Sequence, residues 1–126
     1  MGRKKSSIIR DIELRDKVVE ILLQNLRKDI SLCNLIEDNF NLSYKHINKI
    51  FKRITQLTIF EYHNRLLVKH ACYLLKNYDC FYISLELGFS DESYFCNWFK
   101  KITSITPSLL KIKKHILQEY ITKEII

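Results

Sequence analysis

Asn39-Phe40-Asn41-Leu42, running straight into Ser43-Tyr44-Lys45-His46-Ile47-Asn48-Lys49-Ile50-Phe51-Lys52-Arg53-Ile54, is the stretch from which the fold can be read. Ser43 is a good N-cap, because its hydroxyl can accept a backbone N–H of the first turn. From there Ile47, Ile50, Phe51 and Ile54 recur at i, i+3, i+4 and i+7, which lays them along one face of a helix. The opposite face is Tyr44, Lys45, Asn48, Lys49 and Lys52, and the helix carries no acid. Asn41 tolerates a left-handed backbone, so the turn before the helix is expected to use it where another chain would use glycine.

Working outward, Ser31 is the expected cap of a short helix over 31–38, with Leu32, Leu35 and Ile36 facing inward. Before it, Ile12, Val18, Val19, Leu22, Leu23 and Leu26 fall on one side of a helix over 11–26. Residues 1–10 read as a basic flexible arm. Downstream, Thr58-Ile59-Phe60-Glu61 reads as a capping box opening a long helix to residue 76, with Tyr62, Leu66, Ala71, Leu74 and Leu75 inside. A short helix over 81–87 ends at Gly88, placed as a helix C′ residue. Ser90 is the expected cap of a further helix over 91–101. That helix turns Phe95, Phe99 and Ile102 inward and Glu92, Ser93, Cys96, Asn97 and Lys100 outward. After Pro107 a lysine-rich helical tail runs to about residue 120, leaving 121–126 as a terminal tail.

With only Gly2, Gly88 and Pro107 as sharp breakers, the chain is predicted to be all-α. The pattern is helix, short helix, tight turn and exposed helix, then a connector, then the same triplet again. It predicts a first helix-turn-helix subdomain over 11–57, a connector helix over 58–76 and a second subdomain over 77–120.

The 126 residues carry 21 Lys and Arg against 14 Asp and Glu, a formal charge of +7. That balance suits a polyanionic partner. No apolar run is long enough to span a bilayer, and Arg3-Lys4-Lys5 is followed by too short an apolar stretch for a signal peptide, so a cytoplasmic location is expected. Cys33, Cys72, Cys80 and Cys96 form no C-x-x-C pair, nor do they combine with His46, His63, His70 or His115 at a familiar metal spacing. Buried or half-buried thiols are expected, with no metal and no cofactor.

Side chains that read base edges are Arg or Lys for guanine, Asn or Gln for adenine, and Ser or Thr for either. Lys45, Asn48 and Lys49 supply that chemistry on the exposed face at 43–54, although a charged helix face is also what solvent selects. The connector adds weight to the first reading. Its nineteen residues span about 28 Å as helix, close to the roughly 34–36 Å repeat of B-DNA. Charge is partitioned as well. Residues 43–76 hold seven Lys and Arg against Glu61, residues 77–99 hold four acids and no base, and residues 100–114 hold five lysines. The first unit is therefore expected to bind the more strongly.

The stretch Leu87-Gly88-Phe89-Ser90-Asp91-Glu92-Ser93-Tyr94-Phe95, continued by Phe99-Lys100-Lys101 and Ile105-Thr106-Pro107-Ser108, resembles the signature of the AraC/XylS family of transcription regulators. Ser43, His46-Ile47, Phe51-Lys52-Arg53, Glu61-Tyr62 and Ala71 with Leu74-Leu75 are similar to that family's first unit and connector. The resemblance covers residues 12–112 and departs at Leu67, where the family commonly carries arginine. It implies about seven helices and a bacterial, sequence-specific regulator of double-stranded DNA, an activator by preference, with two recognition helices in successive major grooves. Carried over by position, the base-reading set is Lys45, Asn48 and Lys49, then Glu92, Ser93, Cys96 and Asn97. The phosphate set is Ser43, Tyr44, Lys52, Arg53, Lys100 and Lys101. The chain resembles short members that act as bare DNA-binding modules, as monomers on promoter DNA, with RNA polymerase a further candidate partner.

No Gly-rich phosphate loop, H-E-x-x-H or G-x-S-x-G is present, so no enzyme is expected. A second reading stays open. The acids at Asp79, Glu86, Asp91 and Glu92 also suit a protein-interaction module that binds a related regulator or polymerase.

Overall fold

The computed structural model describes residues 5–124, and these form eight helices with no strand. They are α1 (Lys5–Leu23), α2 (Leu32–Asn39), α3 (Tyr44–Thr55), α4 (Ile59–Leu75), α5 (Cys80–Glu86), α6 (Glu92–Thr103), α7 (Pro107–Ile112) and α8 (Lys114–Thr122). The all-α architecture is as expected. The eighth helix arises because the tail breaks at Lys113 instead of running through as one rod.

Side chains start most of these helices. Ser31 accepts from Asn34 N at 3.2 Å, Ser43 from His46 N at 3.2 Å, Asp79 from Tyr82 N at 2.9 Å and Thr106 from Leu109 N at 3.2 Å. At α4 the capping box closes in both directions, with Glu61 N donating to Thr58 Oγ1 at 3.1 Å and Thr58 N to Glu61 Oε1 at 3.0 Å. Each such cap satisfies first-turn donors that the helix itself cannot. For α6 the cap is Asp91, accepting from Tyr94 N at 2.7 Å, one residue later than the Ser90 expected.

Three further expectations are corrected. The basic arm placed over 1–10 is helical from Lys5 onward, because nothing in Lys5-Ser6-Ser7-Ile8-Ile9-Arg10 interrupts the helix, and residues 1–4 lie outside the described residues. Asn41 is not left-handed. Among the described residues, positive φ falls at Gly88 and, among non-glycines, at Gln56 and Ser104, the C-caps of α3 and α6. The α2–α3 turn instead passes through an extended Phe40, whose N–H returns to Ile36 O at 3.1 Å. Finally, Ile12, Leu23 and Ile102 are exposed, each lying at the edge of its helix's apolar stripe.

The chain divides into two compact units, the boundary falling within α4. The first takes in residues 5–25 and Ile30–His63 and is built on Val18, Leu22, Ile36, Ile47, Phe51 and Ile59, all fully buried, with Phe51 edge-on to Tyr62 at 5.3 Å. Asp11 of α1 holds Arg53 of α3 at 2.9 Å, an ion pair with the carboxylate side almost wholly covered. The second takes in Leu26–Asp29 and residues 64–124, around Leu67, Leu75, Ile83, Leu87, Phe95, Phe99 and Leu110. Leu67 is fully buried and packs in that core.

Gly88 shows why the second unit needs a glycine. Its φ is +74°, Gly88 N donates to Leu85 O and Phe89 N to Ser84 O, the paired bonds of a Schellman ending. A Cβ there would run into the Asp29 carboxylate, 2.6 Å from its Cγ and 3.1 Å from Arg27 Nη2. The Arg27–Asp29 pair, joined at 2.9 Å, occupies the space the missing side chain leaves. Lys28 N donates to Leu87 O at 2.7 Å, so Leu26–Asp29 belongs to the end of α5 and not, as the sequence suggested at Leu26, to α1.

Candidate nucleic-acid interface

The two units repeat one another at a constant register in which each residue corresponds to the one 48 positions further on. Ser43 corresponds to Asp91, both N-caps, and Gln56 to Ser104, both left-handed C-caps with φ of 66° and 67°. Thr55 corresponds to Thr103. Thr55 Oγ1 donates toward Phe51 O and Leu57 O, 2.9 Å from each, and accepts from Leu57 N. Thr103 Oγ1 repeats the arrangement with Phe99 O, Ile105 O and Ile105 N at 2.8, 2.9 and 3.3 Å. A shared ending of this kind turns the next helix in each unit, α4 and α7, out of the same corner. It also makes α3 and α6 equivalent position by position.

On α3, Lys45, Lys49 and Lys52 are exposed, as is His46. Tyr44 is half-buried, and burial pushes its phenol pKa up. The Tyr44 N–H donates to Glu37 Oε2 at 2.7 Å, tying the first turn of α3 to α2. The Ser43 hydroxyl is engaged as cap. Arg53, placed in the phosphate set, is anchored by Asp11 with about half its side chain left exposed.

Asn48 differs from its expected role. Its Oδ1 accepts from Ile59 N at 2.8 Å, so the carboxamide caps the first residue of α4. Bidentate pairing with adenine needs the carboxamide oxygen as acceptor and its NH2 as donor together. While the cap stands, Asn48 has only the NH2 to offer. Periodicity could not have revealed this, because the partner amide lies eleven residues on.

The register explains what happens at the matching place in α6. Asn48 corresponds to Cys96 and Ile59 to Pro107, the first residue of α7. Proline has no N–H, so no acceptor is required of Cys96. The Cys96 thiol instead lies beside Cys80 of α5. Burial first, then the proximity of Cys80 and a hydrogen bond with it, and finally the charge of Glu92, push its pKa up to about 11. Cys96 is therefore half-buried and turned toward α5, whereas Glu92, Ser93 and Asn97 are exposed. Lys100 and Lys101 are exposed in the last turn of α6, where a cation also suits the helix C-terminus.

The acids of the second unit have local work. Asp79 and Asp91 are the caps of α5 and α6, while the charge of Glu86 acts on Arg27, His70 and Tyr82 and that of Glu92 on Cys96.

One group escaped the sequence reading. Arg10, assigned there to the arm, lies on α1 and lines a cleft of about 480 Å³ with His46, Lys49, Ile50 and Arg53. Asp11 also lines it and is paired with Arg53, which leaves Arg10 and Lys49 as the cations beside the exposed face of α3 that suit a phosphate oxygen.

Comparison with known proteins agrees with this geometry. Residues 36–111 match the family described as Helix-turn-helix domain, more than half of the chain. The chain is 33% identical over 97 residues to the HTH-type transcriptional activator RhaR of Escherichia coli (strain K12), covering 75% of this chain and 34% of that protein. It is 29% identical over 100 residues to the protein of the same name from Mannheimia succiniciproducens, 78% of this chain and 36% of that one. The chain thus spans about a third of the length of the curated relatives it matches. Among the described residues no helix is long and apolar enough to cross a membrane. With two capped, register-matched helix-turn-helix units and the family match spanning both exposed helices, the chain belongs to the AraC-type helix-turn-helix family of DNA-binding transcription regulators.

Proposed function

We propose that this chain binds double-stranded promoter DNA sequence-specifically, with α3 and α6 as its recognition helices in successive major grooves. The observation that carries the reading is the outer face of α3, where Lys45, Lys49 and Lys52 are exposed on a helix without a single acid. Lys45 and Lys49 are the principal base readers of the first unit, and Asn48 positions α4 in place of reading adenine. In the second unit Ser93 and Asn97 read bases, with Glu92 beside them. Ser43, Tyr44, Lys52, Arg53, Lys100 and Lys101 form the phosphate set, to which Arg10 is added. Such contacts fix register on the duplex without reading sequence.

The internal repeat supports two reading helices, since each unit carries one exposed, capped helix at an equivalent position of the 48-residue register. Activation, as in the name of the relative RhaR, is the regulatory sign we assign, with the protein acting in the cytoplasm as a monomer that touches RNA polymerase at the promoter. A protein-interaction role for the second unit is the other reading, favoured by the absence of Lys and Arg from residues 77–99.

Selection from random duplexes followed by footprinting tests the proposal. Two protected segments one helical turn apart are expected, and a Lys45→Glu, Lys49→Glu double variant should abolish selection of any consensus. A protected consensus that survives that double variant would remove α3 from the interface.

A further inference from the structure

The Cys80 thiol, the Cys96 thiol and a carboxylate oxygen of Glu92 lie within 4.8 Å of one another. Three elements of the fold produce this. Glu92 and Cys96 are four residues apart on α6, so they share a face. Cys80 is the first residue of α5, and α5 packs on α6. Cys96, in turn, is relieved of the capping duty that its counterpart Asn48 performs, because Pro107 offers no amide.

We propose that Cys80, Glu92 and Cys96 form a binding site for a single zinc ion, with water as the fourth ligand. Two sulfurs and one carboxylate match a borderline-soft dication, whereas magnesium and calcium favour all-oxygen sets. Tetrahedral zinc has Zn–S distances of about 2.3 Å and Zn–O of about 2.1 Å, which places ligand atoms roughly 3.5–3.8 Å apart. Side-chain rotations that close the present spacing by about an ångström complete the site, and Glu92 is exposed and free to make them. Residues 77–99 hold no Lys or Arg, so no cation of that segment competes for the thiolates.

The consequence rests on the DNA reading proposed above. Zinc would join α5 to α6 and hold Glu92 and Cys96 against α5, away from base edges. The second unit would then read DNA through Ser93 and Asn97 alone in the loaded state, and through Glu92 as well in the empty one.

The test is titration of the full chain with Co2+ alone, after chelator treatment and with a phosphine reductant present, in the absence of DNA. Expected are saturation at one Co2+ per chain, visible bands of tetrahedral intensity, and a near-ultraviolet thiolate-to-cobalt band that Zn2+ bleaches. Cys96→Ser should remove about half of that band or more and, like Glu92→Gln, weaken binding about tenfold or more. Cys33→Ser, an exposed thiol of the first unit, should leave the titration unchanged. Because Cys80 is buried, Cys80→Ser is read only after its helical circular dichroism matches the parent. Absence of the thiolate band at equimolar Co2+, or its survival at full intensity in Cys96→Ser, overturns the site. Duplex affinity measured with and without Zn2+ is a separate arm. Equal base preference in the two conditions overturns the coupling to DNA reading while the titration stands by itself.

Discussion

Asn48→Ala separates a cap from a base reader, because the two roles fail in different experiments. Ile59 is fully buried and its N–H donates to the Asn48 carboxamide, so Asn48→Ala takes that acceptor away. A buried donor left unsatisfied costs about 1–3 kcal/mol, the same range as loss of a helix cap at about 0.5–2 kcal/mol. For a chain of 126 residues each kcal/mol lowers the melting temperature by about 3–5 °C. Asn48→Ala is therefore expected to melt roughly 5–10 °C below the parent by circular dichroism. Asn48→Asp keeps an oxygen acceptor at the same place and should lose much less. Cys96→Ala, at the matching position of the second unit, strands no amide, since Pro107 has none, and its cost should be confined to the lost packing of one sulfur and its weak hydrogen bond with Cys80. On DNA, Asn48→Ala should weaken all sequences in parallel through the disturbed seating of α3 against α4, without relaxing one base pair. If Asn48→Ala melts with the parent and loses discrimination at a single adenine, the hydrogen bond to Ile59 is not what that residue is for.

Two further perturbations test the second unit. Gly88→Ala forces a side chain into a φ of +74° and against the Asp29 carboxylate, and should destabilise by about 2–3 kcal/mol in urea unfolding; adding Asp29→Ala should recover part of that, and equal losses in the two backgrounds would exclude the collision. His70 has its pKa lowered by burial, partly opposed by the charge of Glu86, so the native state holds it neutral. The unfolded chain then binds the extra proton first, and stability should fall as pH drops below the ordinary histidine value of about 6.5 and level off below the folded pKa. His70→Gln should flatten that part of the stability profile, and an unchanged slope would assign it elsewhere.

Much of the architecture was legible because it rests on local chemistry. The stripe of Ile47, Ile50, Phe51 and Ile54 fixes which side of α3 is covered, and Ser43 and Thr58 announce two helix starts by residue type alone. What escaped was non-local. Leu26 continues the apolar phase of α1, yet the chain leaves the helix at Leu23 so that Lys28 can bond the end of α5, a partner 59 residues away in sequence. Asn41 has the right chemistry for a left-handed turn, but the extended backbone at Phe40 makes that conformation unnecessary. Besides Gly88, the left-handed residues among those described are Gln56 and Ser104, which no propensity would have chosen. They are set by the threonine just before each, buried at Thr55 and half-buried at Thr103, whose hydroxyl holds the carbonyls and amide of the corner in place.

The same comparison bears on which outward-facing residues are free to act. An outer face read from periodicity treats Lys45, Asn48 and Lys49 alike, and Glu92, Ser93, Cys96 and Asn97 alike. The 48-residue register divides both sets at one position. In α3 that position, Asn48, is turned to the first residue of the following helix, whereas its counterpart in α6, Cys96, is turned toward Cys80 of α5. Where that first residue carries an N–H, as Ile59 does, the corner needs an acceptor and asparagine supplies it. Where it is proline, the need disappears and a side chain with other chemistry can stand there. A substitution series makes the dependence explicit: Ile59→Pro removes the donor that Asn48 serves, at a position where the ring fits because it opens a helix. In that background Asn48→Ala should cost a small fraction of what it costs in the parent chain. A full penalty in both backgrounds would mean that Asn48 is held by something other than the amide of Ile59.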